Sequence, residues 1–192
     1  MTRIRPMSRF LLIAGLAVVV GAMVVWWWRE RDATLDAVET AVRARYPEVP
    51  VVTTRELAEA LGDSVRAPLV LDARAMEEFA VSHLPGARRV DPDASAPELR
   101  DALTEVSDER EIVVYCSVGY RSARIAERLR EAGFENVASL EGSIFRWANE
   151  GRPLARGDTP TDAVHPYNAA WGKLLRPERR ATTADSAHEA KD

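Results

Sequence analysis

Cysteine is almost absent from this chain: Cys116 stands alone. One thiol excludes an internal disulfide and any zinc site built on cysteines. Histidine is nearly as scarce, and His83, His165 and His188 are too scattered for metal-ligand spacing. No metal and no organic cofactor is expected, since the chain also lacks a glycine-rich phosphate loop and a dinucleotide fingerprint. No heptad pattern and no internal repeat occur, which argues against a coiled coil or a tandem array. Lysine occurs twice against 24 arginines, a bias of composition rather than of function. The net charge is −4, and three arginines fall within the first nine residues. The remainder is therefore more acidic still, which excludes nucleic acid as the expected partner.

Apolar sequence is abundant in one place. Phe10 to Trp28 is nineteen residues without a charge, preceded by Arg3, Arg5 and Arg9 and closed by Trp26, Trp27 and Trp28 before Arg29. A helix of that length nearly spans a hydrocarbon core of about 30 Å, and tryptophans favour the interface. Residues 10–28 are therefore expected to be a single transmembrane helix after a basic segment at 1–9. A cleaved signal peptide is the competing reading, with Val20-Gly21-Ala22 as its small-residue site. A short basic N-terminus favours a cytoplasmic start and an extracytoplasmic, periplasmic-side domain. Arg29, Arg31, Arg43 and Arg45 on the other flank keep the cytoplasmic face open as the alternative.

Between 29 and 50, Leu35, Val38, Val42 and Tyr46 recur at helical spacing. They predict a juxtamembrane helix that acts as a spacer or packs on the domain. From 51 to 155 strand and helix patterns alternate, which predicts an α/β domain with a five-stranded parallel sheet flanked by helices. The expected strands are 51–52, 69–72, 88–90, 112–115 and 137–140. Thr53 with Glu56 and Ser95 with Glu98 have capping-box spacing, and Gly133 is a C-cap signal for the helix after Cys116. Beyond 155 the pattern fades. The segment 165–175 has apolar bulk enough to dock, and residues 176–192 read as a disordered tail.

Cys116 ends the β-branched run Ile112-Val113-Val114-Tyr115 and precedes a loop that opens a helix. Backbone N–H groups converge at such a position and favour an anion, which lowers a thiol's pKa and makes it nucleophilic. A buried structural cysteine is the plain alternative; Gly119 and Arg121 at these offsets favour the reactive one.

The run Cys116-Ser117-Val118-Gly119-Tyr120-Arg121-Ser122 resembles the active-site loop of the rhodanese (sulfurtransferase) family, Cys-x-x-Gly-x-Arg-Ser. Four further segments follow the family's order: Leu69-Val70-Leu71-Asp72-Ala73-Arg74, then Glu77-Glu78-Phe79, then His83-Leu84-Pro85-Gly86-Ala87. The last is Leu140-Glu141-Gly142-Ser143-Ile144 with Trp147 and Gly151-Arg152-Pro153. Ser82 and Ser143 replace glycines of the family pattern, and neither is expected to touch the Cys loop. The resemblance implies a single rhodanese domain and a two-step reaction in which Cys116 carries sulfane sulfur as a persulfide. Thiosulfate is an example of the donor, and the acceptor is a thiophile, a protein thiol included. Arg121 is expected to clamp donor oxyanions, and Ser122 to donate a hydroxyl or cap the helix. Ser117, Val118, Gly119 and Tyr120 shape the pocket, with Gly119 allowing a backbone conformation closed to side chains. Asp72 and Arg74 are candidates for the pocket or for an internal ion pair. His83 reads as a turn or core residue, Trp147 as core, and Glu77 and Glu78 as a solvated helix face. A Cys-dependent phosphatase needs five residues between Cys and Arg; here four intervene. A non-catalytic interaction or sulfur-relay module at the membrane is the alternative function.

Overall fold

The computed structural model describes residues 19, 20, 23, 34–63 and 66–182. Its centre is a parallel sheet whose strands alternate their side chains between two buried faces, as a period of two requires. The strands are β1 (Val51–Val52), β2 (Leu69–Asp72), β3 (Arg88–Arg89), β4 (Ile112–Tyr115) and β5 (Val137–Leu140), in the spatial order β1-β5-β4-β2-β3. Val70, Val113, Tyr115 and Leu140 face one core; Leu71, Ile112, Val114 and Val137 face the other. Central β4 is buried at every position.

Helix α1 occupies residues 34–45. It is followed by α2 (Thr54–Leu61), α3 (Met76–Val81), α4 (Ala96–Ala102), α5 (Tyr120–Glu131) and α6 (Ser143–Asn149). Both capping boxes form. The Glu56 carboxylate accepts the Thr53 N–H at 2.8 Å, and that of Glu98 accepts the Ser95 N–H at 2.8 Å. Helices α4 and α5 cover one sheet face through Leu99, Leu103, Ile125, Ala126 and Leu129. Helices α2 and α6 cover the other, and α1 joins them there through Leu35, which is fully buried.

The helix at 34–45, expected to be a juxtamembrane spacer or to pack on the domain, is a packed part of the domain. Arg146 of α6 pairs with Asp36 and with Glu39, the latter at 2.5 Å, and Arg43 pairs with Glu141. Gly142 lies at φ +65°, a conformation that favours glycine, and a Cβ there would crowd Arg146 Cβ at 2.6 Å, beside the carboxylate of Glu39 from α1.

Two expectations about the ends change. The chain after Pro153 forms an antiparallel hairpin of β6 (Leu154–Arg156) and β7 (Thr159–Thr161). These three-residue strands are too short and too polar to show alternation. The polar stretch from Arg176, expected to be disordered, is held as far as residue 182. The Asn149 Oδ1 accepts the Arg176 N–H at 2.9 Å, and Val164 pairs with Arg179 and Ala181 through its backbone. The expected span at 10–28 lies outside the described residues except for Val19, Val20 and Met23, which are helical and exposed. Among the described residues no helix is long and apolar enough to cross a membrane.

Candidate active site

Strand β4 delivers Cys116 to the C-terminal edge of the sheet, where open α/β folds place their ligands. The chain turns sharply at Gly119, whose φ of +117° no ordinary L-residue holds comfortably. That turn aims the Gly119 N–H at Cys116 Sγ, 3.1 Å away. It also starts the twelve-residue α5 beside the sulfur, so the helix's positive end faces Sγ, a setting that favours an anion there. The loop is held from behind. Ser122 sits beneath the sulfur, its Oγ 3.7 Å from Sγ and 3.0 Å from the Gly119 carbonyl, and accepts a hydrogen bond from Ser139 Oγ at 2.9 Å. The first turn of α6 contributes too: the Ile144 and Phe145 N–H groups donate to the carbonyls of Cys116 and Ser117 at 3.1 and 3.2 Å.

Ser143 was expected to leave the Cys loop untouched; it does touch it. Its Oγ accepts the Cys116 N–H at 3.2 Å and donates to the Leu140 carbonyl at the same distance. It holds φ at +51°, a conformation that favours glycine. The hydroxyl therefore adds a tie to the end of β4 at the expense of backbone strain.

Arg121 does not lie open to solvent. Its two terminal nitrogens meet the Glu78 carboxylate at 2.6 and 2.8 Å, and Ser117 Oγ lies 2.9 Å from both partners. Glu78, expected on a solvated face, is buried, while Glu77 beside it is exposed. Burial alone would raise the Glu78 pKa. The hydrogen bonds and charge of Arg121, with the Ala75 amide and the Ser117 hydroxyl, hold it below the ordinary carboxylate value. Burial likewise opposes the Arg121 charge, yet Glu78 and the neighbouring Cys116 sulfur push its pKa further above its already high value.

Cys116, Ser117, Val118, Tyr120 and Arg121 line a cleft of about 170 Å³. Its opposite wall is Tyr167 and Trp171, from the extension beyond the hairpin. Gly119 and Ser122 face away from this cleft: Gly119 backs onto Val42 of α1, and Ser122 onto the sheet. Asp72 and Arg74 do not reach it. They form an internal pair at 2.7 Å with no exposure on either side chain. Burial opposes the Arg74 charge, but Asp72 outweighs it and raises the pKa. His83 stacks on Phe79 at 4.1 Å, and Trp147 is buried with its indole N–H donating to the Pro153 carbonyl.

The family model of the rhodanese-like domain matches residues 53–150, just over half of the chain. The chain belongs to the rhodanese-like family. Relatives of this rhodanese-like chain include a Mycobacterium tuberculosis protein named "Probable adenylyltransferase/sulfurtransferase MoeZ", 32% identical over 53% of this chain and 25% of that protein. A tRNA uridine(34) hydroxylase of Burkholderia ambifaria is 30% identical over 74% of this chain and 51% of its own length. The chain thus spans between a quarter and about half of the curated relatives it matches. Among solved structures, a thiosulfate sulfurtransferase of Pseudomonas aeruginosa superposes with a TM-score of 0.53 at 25% identity, covering 65% of this chain and 23% of that one. The BH2092 protein of Bacillus halodurans superposes with a TM-score of 0.51 over 71% of this chain and 97% of its own; at 20% identity that likeness concerns the fold alone. The family match begins at residue 53 and ends at residue 150, so α1 and the Tyr167–Trp171 wall stand outside it.

The sequence reading missed Glu78, Ser143, Tyr167 and Trp171. Glu78 did carry a signal, its place before Phe79 in a family segment. Tyr167 and Trp171 carried none beyond bulk, because the segment around them has no period.

Proposed function

We propose that this chain is a rhodanese-type sulfurtransferase that carries sulfane sulfur as a Cys116 persulfide. The seat of the sulfur carries the reading: Sγ lies at the floor of the cleft, 3.1 Å from the Gly119 N–H and beside the start of α5. In the first step the Cys116 thiolate attacks the outer sulfur of a donor such as thiosulfate. A bond forms from Sγ to that sulfur, the donor's S–S bond breaks, and sulfite leaves with the electron pair. In the second step a thiophilic acceptor attacks the outer sulfur and returns the Cys116 thiolate. The Gly119 N–H and the helix end stabilise the anion on either sulfur. Phosphatase chemistry is disfavoured by Arg121, which is turned to Glu78 at 2.6 Å rather than closed over a tetrahedral oxyanion. The relative named as a sulfurtransferase supports the same reading. In this proposal the apolar run at 10–28 anchors the domain as a single-pass helix on the extracytoplasmic side.

The test is the intact mass of the full chain in detergent after exposure to thiosulfate, for wild type and Cys116→Ser, followed by cyanide. The expected result is a gain of one sulfur atom on wild type only, removed by cyanide as thiocyanate. A folded, reduced wild type that gains nothing sinks the thiosulfate reading.

A further inference from the structure

The wall formed by the extension has no counterpart in the matched family segment, and its chemistry bears on what enters the cleft. Arg121 is the one cation among the described lining residues. Both its terminal nitrogens serve Glu78, and its face lies 5.0 Å from the Tyr167 ring. A dianionic donor therefore meets a neutralised ion pair. The remaining rim is aromatic: Tyr120 is 39% exposed and Tyr167 50% exposed, and Trp171 is partly buried against the core.

Tyr167 is fixed in place at a conformational cost. Its φ is +63°, unusual for a bulky residue. His165 Nδ1 accepts its N–H at 3.1 Å, and the Pro166 carbonyl accepts that of Asn168 at 2.7 Å. Asn168 Oδ1 takes the amides of Ala170 and Trp171 at 2.9 and 3.0 Å. Buried Leu174 and Leu175 pin the far end. A strained aromatic held by this many ties over the cleft's charged residue makes a rigid surface for stacking.

We propose that Tyr167 and Trp171 are the specificity wall of the Cys116 cleft, selecting sulfane donors that carry an apolar, preferably aromatic, organic body over bare inorganic oxyanions. This rests on the sulfurtransferase reading. For an organic thiosulfonate, the Cys116 thiolate attacks the outer sulfur, the bond from that sulfur to the sulfonyl sulfur breaks, and the organic sulfinate leaves with the electron pair. The persulfide retains the negative charge, so no oxidant or reductant is needed.

The experiment compares kcat/KM for benzenethiosulfonate with that for methanethiosulfonate on the full chain in detergent. The donors share charge and reacting bond, and any difference in leaving group cancels when variants are compared by ratio. Wild type is expected to favour the aryl donor. That preference falls by about threefold in Tyr167→Ala and about tenfold in Tyr167→Ala/Trp171→Ala, and is kept in Tyr167→Phe. Because Tyr167 is half exposed, the single variant keeps the test sound even if the double variant unfolds. An unchanged ratio in Tyr167→Ala, with persulfide forming on Cys116, overturns the wall and leaves the sulfurtransferase standing. No Cys116 persulfide from either donor in wild type overturns both.

Discussion

Arg74 with Asp72 and Arg121 with Glu78 use the same two functional groups near the same sheet edge, yet their settings differ. The first pair is local, two residues apart, with both side chains at 0% exposure. Arg74 also reaches the Ser82 carbonyl and stands over the Tyr115 ring, whose hydroxyl accepts the Leu84 N–H. That pair fastens the end of β2 to the β4 side of the core. The second joins residues 43 apart in sequence, with side-chain exposures of 21% for Arg121 and 2% for Glu78. It fastens the reactive loop to α3 and leaves one face of the guanidinium to the cleft. Burial without access makes a rivet; burial with one open face makes a component of the site.

Breaking each pair should expose that difference. The largest effect is expected from Asp72→Ala, which strands a fully buried arginine at a cost of about 3–5 kcal/mol. Urea unfolding checks it, and persulfide formation per folded molecule should persist. Glu78→Gln is expected to cost about 1–3 kcal/mol, as for hydrogen bonds to charged groups. By freeing Arg121 it should also lower the thiosulfate KM, by about tenfold for one regained charge-assisted contact. A KM that rises instead would mean that Glu78 positions Arg121 for the donor. The same variant reads the pH dependence. The folded Glu78 pKa is depressed, so the pair's contribution is complete above the unfolded value of about 4.3 and is lost as pH falls through the lower folded value. The stability gap between wild type and Glu78→Gln should therefore narrow as pH falls below the unfolded value toward the lower folded one. Smallest is Tyr167→Gly, which relieves the positive φ and is expected to change stability by only about 1 kcal/mol, in the stabilising direction. A thermal midpoint that holds or rises while aryl preference falls would separate the wall's role from the fold's.

Much of this was legible in the chain. Strands β1 and β4 carry β-branched runs and β2 is apolar up to Asp72, and α2 and α4 announce their starts through Thr53–Glu56 and Ser95–Glu98. The Cys loop shows its strand, its glycine and its helix in seven residues. What stayed hidden depends on partners distant in sequence. Glu78 lies in a six-residue helix, too short for a hydrophobic period, and it is buried only because Arg121 arrives from the far side of β4. Ser143 reads as a lapse from glycine until the Cys116 amide is seen to need its oxygen. Asp72 and Arg74 stand at a strand end that could equally have faced a ligand, and only the fold settles that they turn inward.

Val42 of α1 lies 3.5 Å from where a Cβ on Gly119 would sit, a contact made by residues ahead of the family's limits. The interval matched by the family model and the mechanical unit are therefore different. A fragment trimmed to 53–150 would keep every residue of the reactive loop. It would also strip the buttress behind Gly119 and the rings in front of Cys116, and leave the sockets of Leu35, Leu174 and Leu175 open to water. Such a fragment would be missing parts rather than minimal, and a feeble turnover measured on it would describe the trimming and not the whole chain.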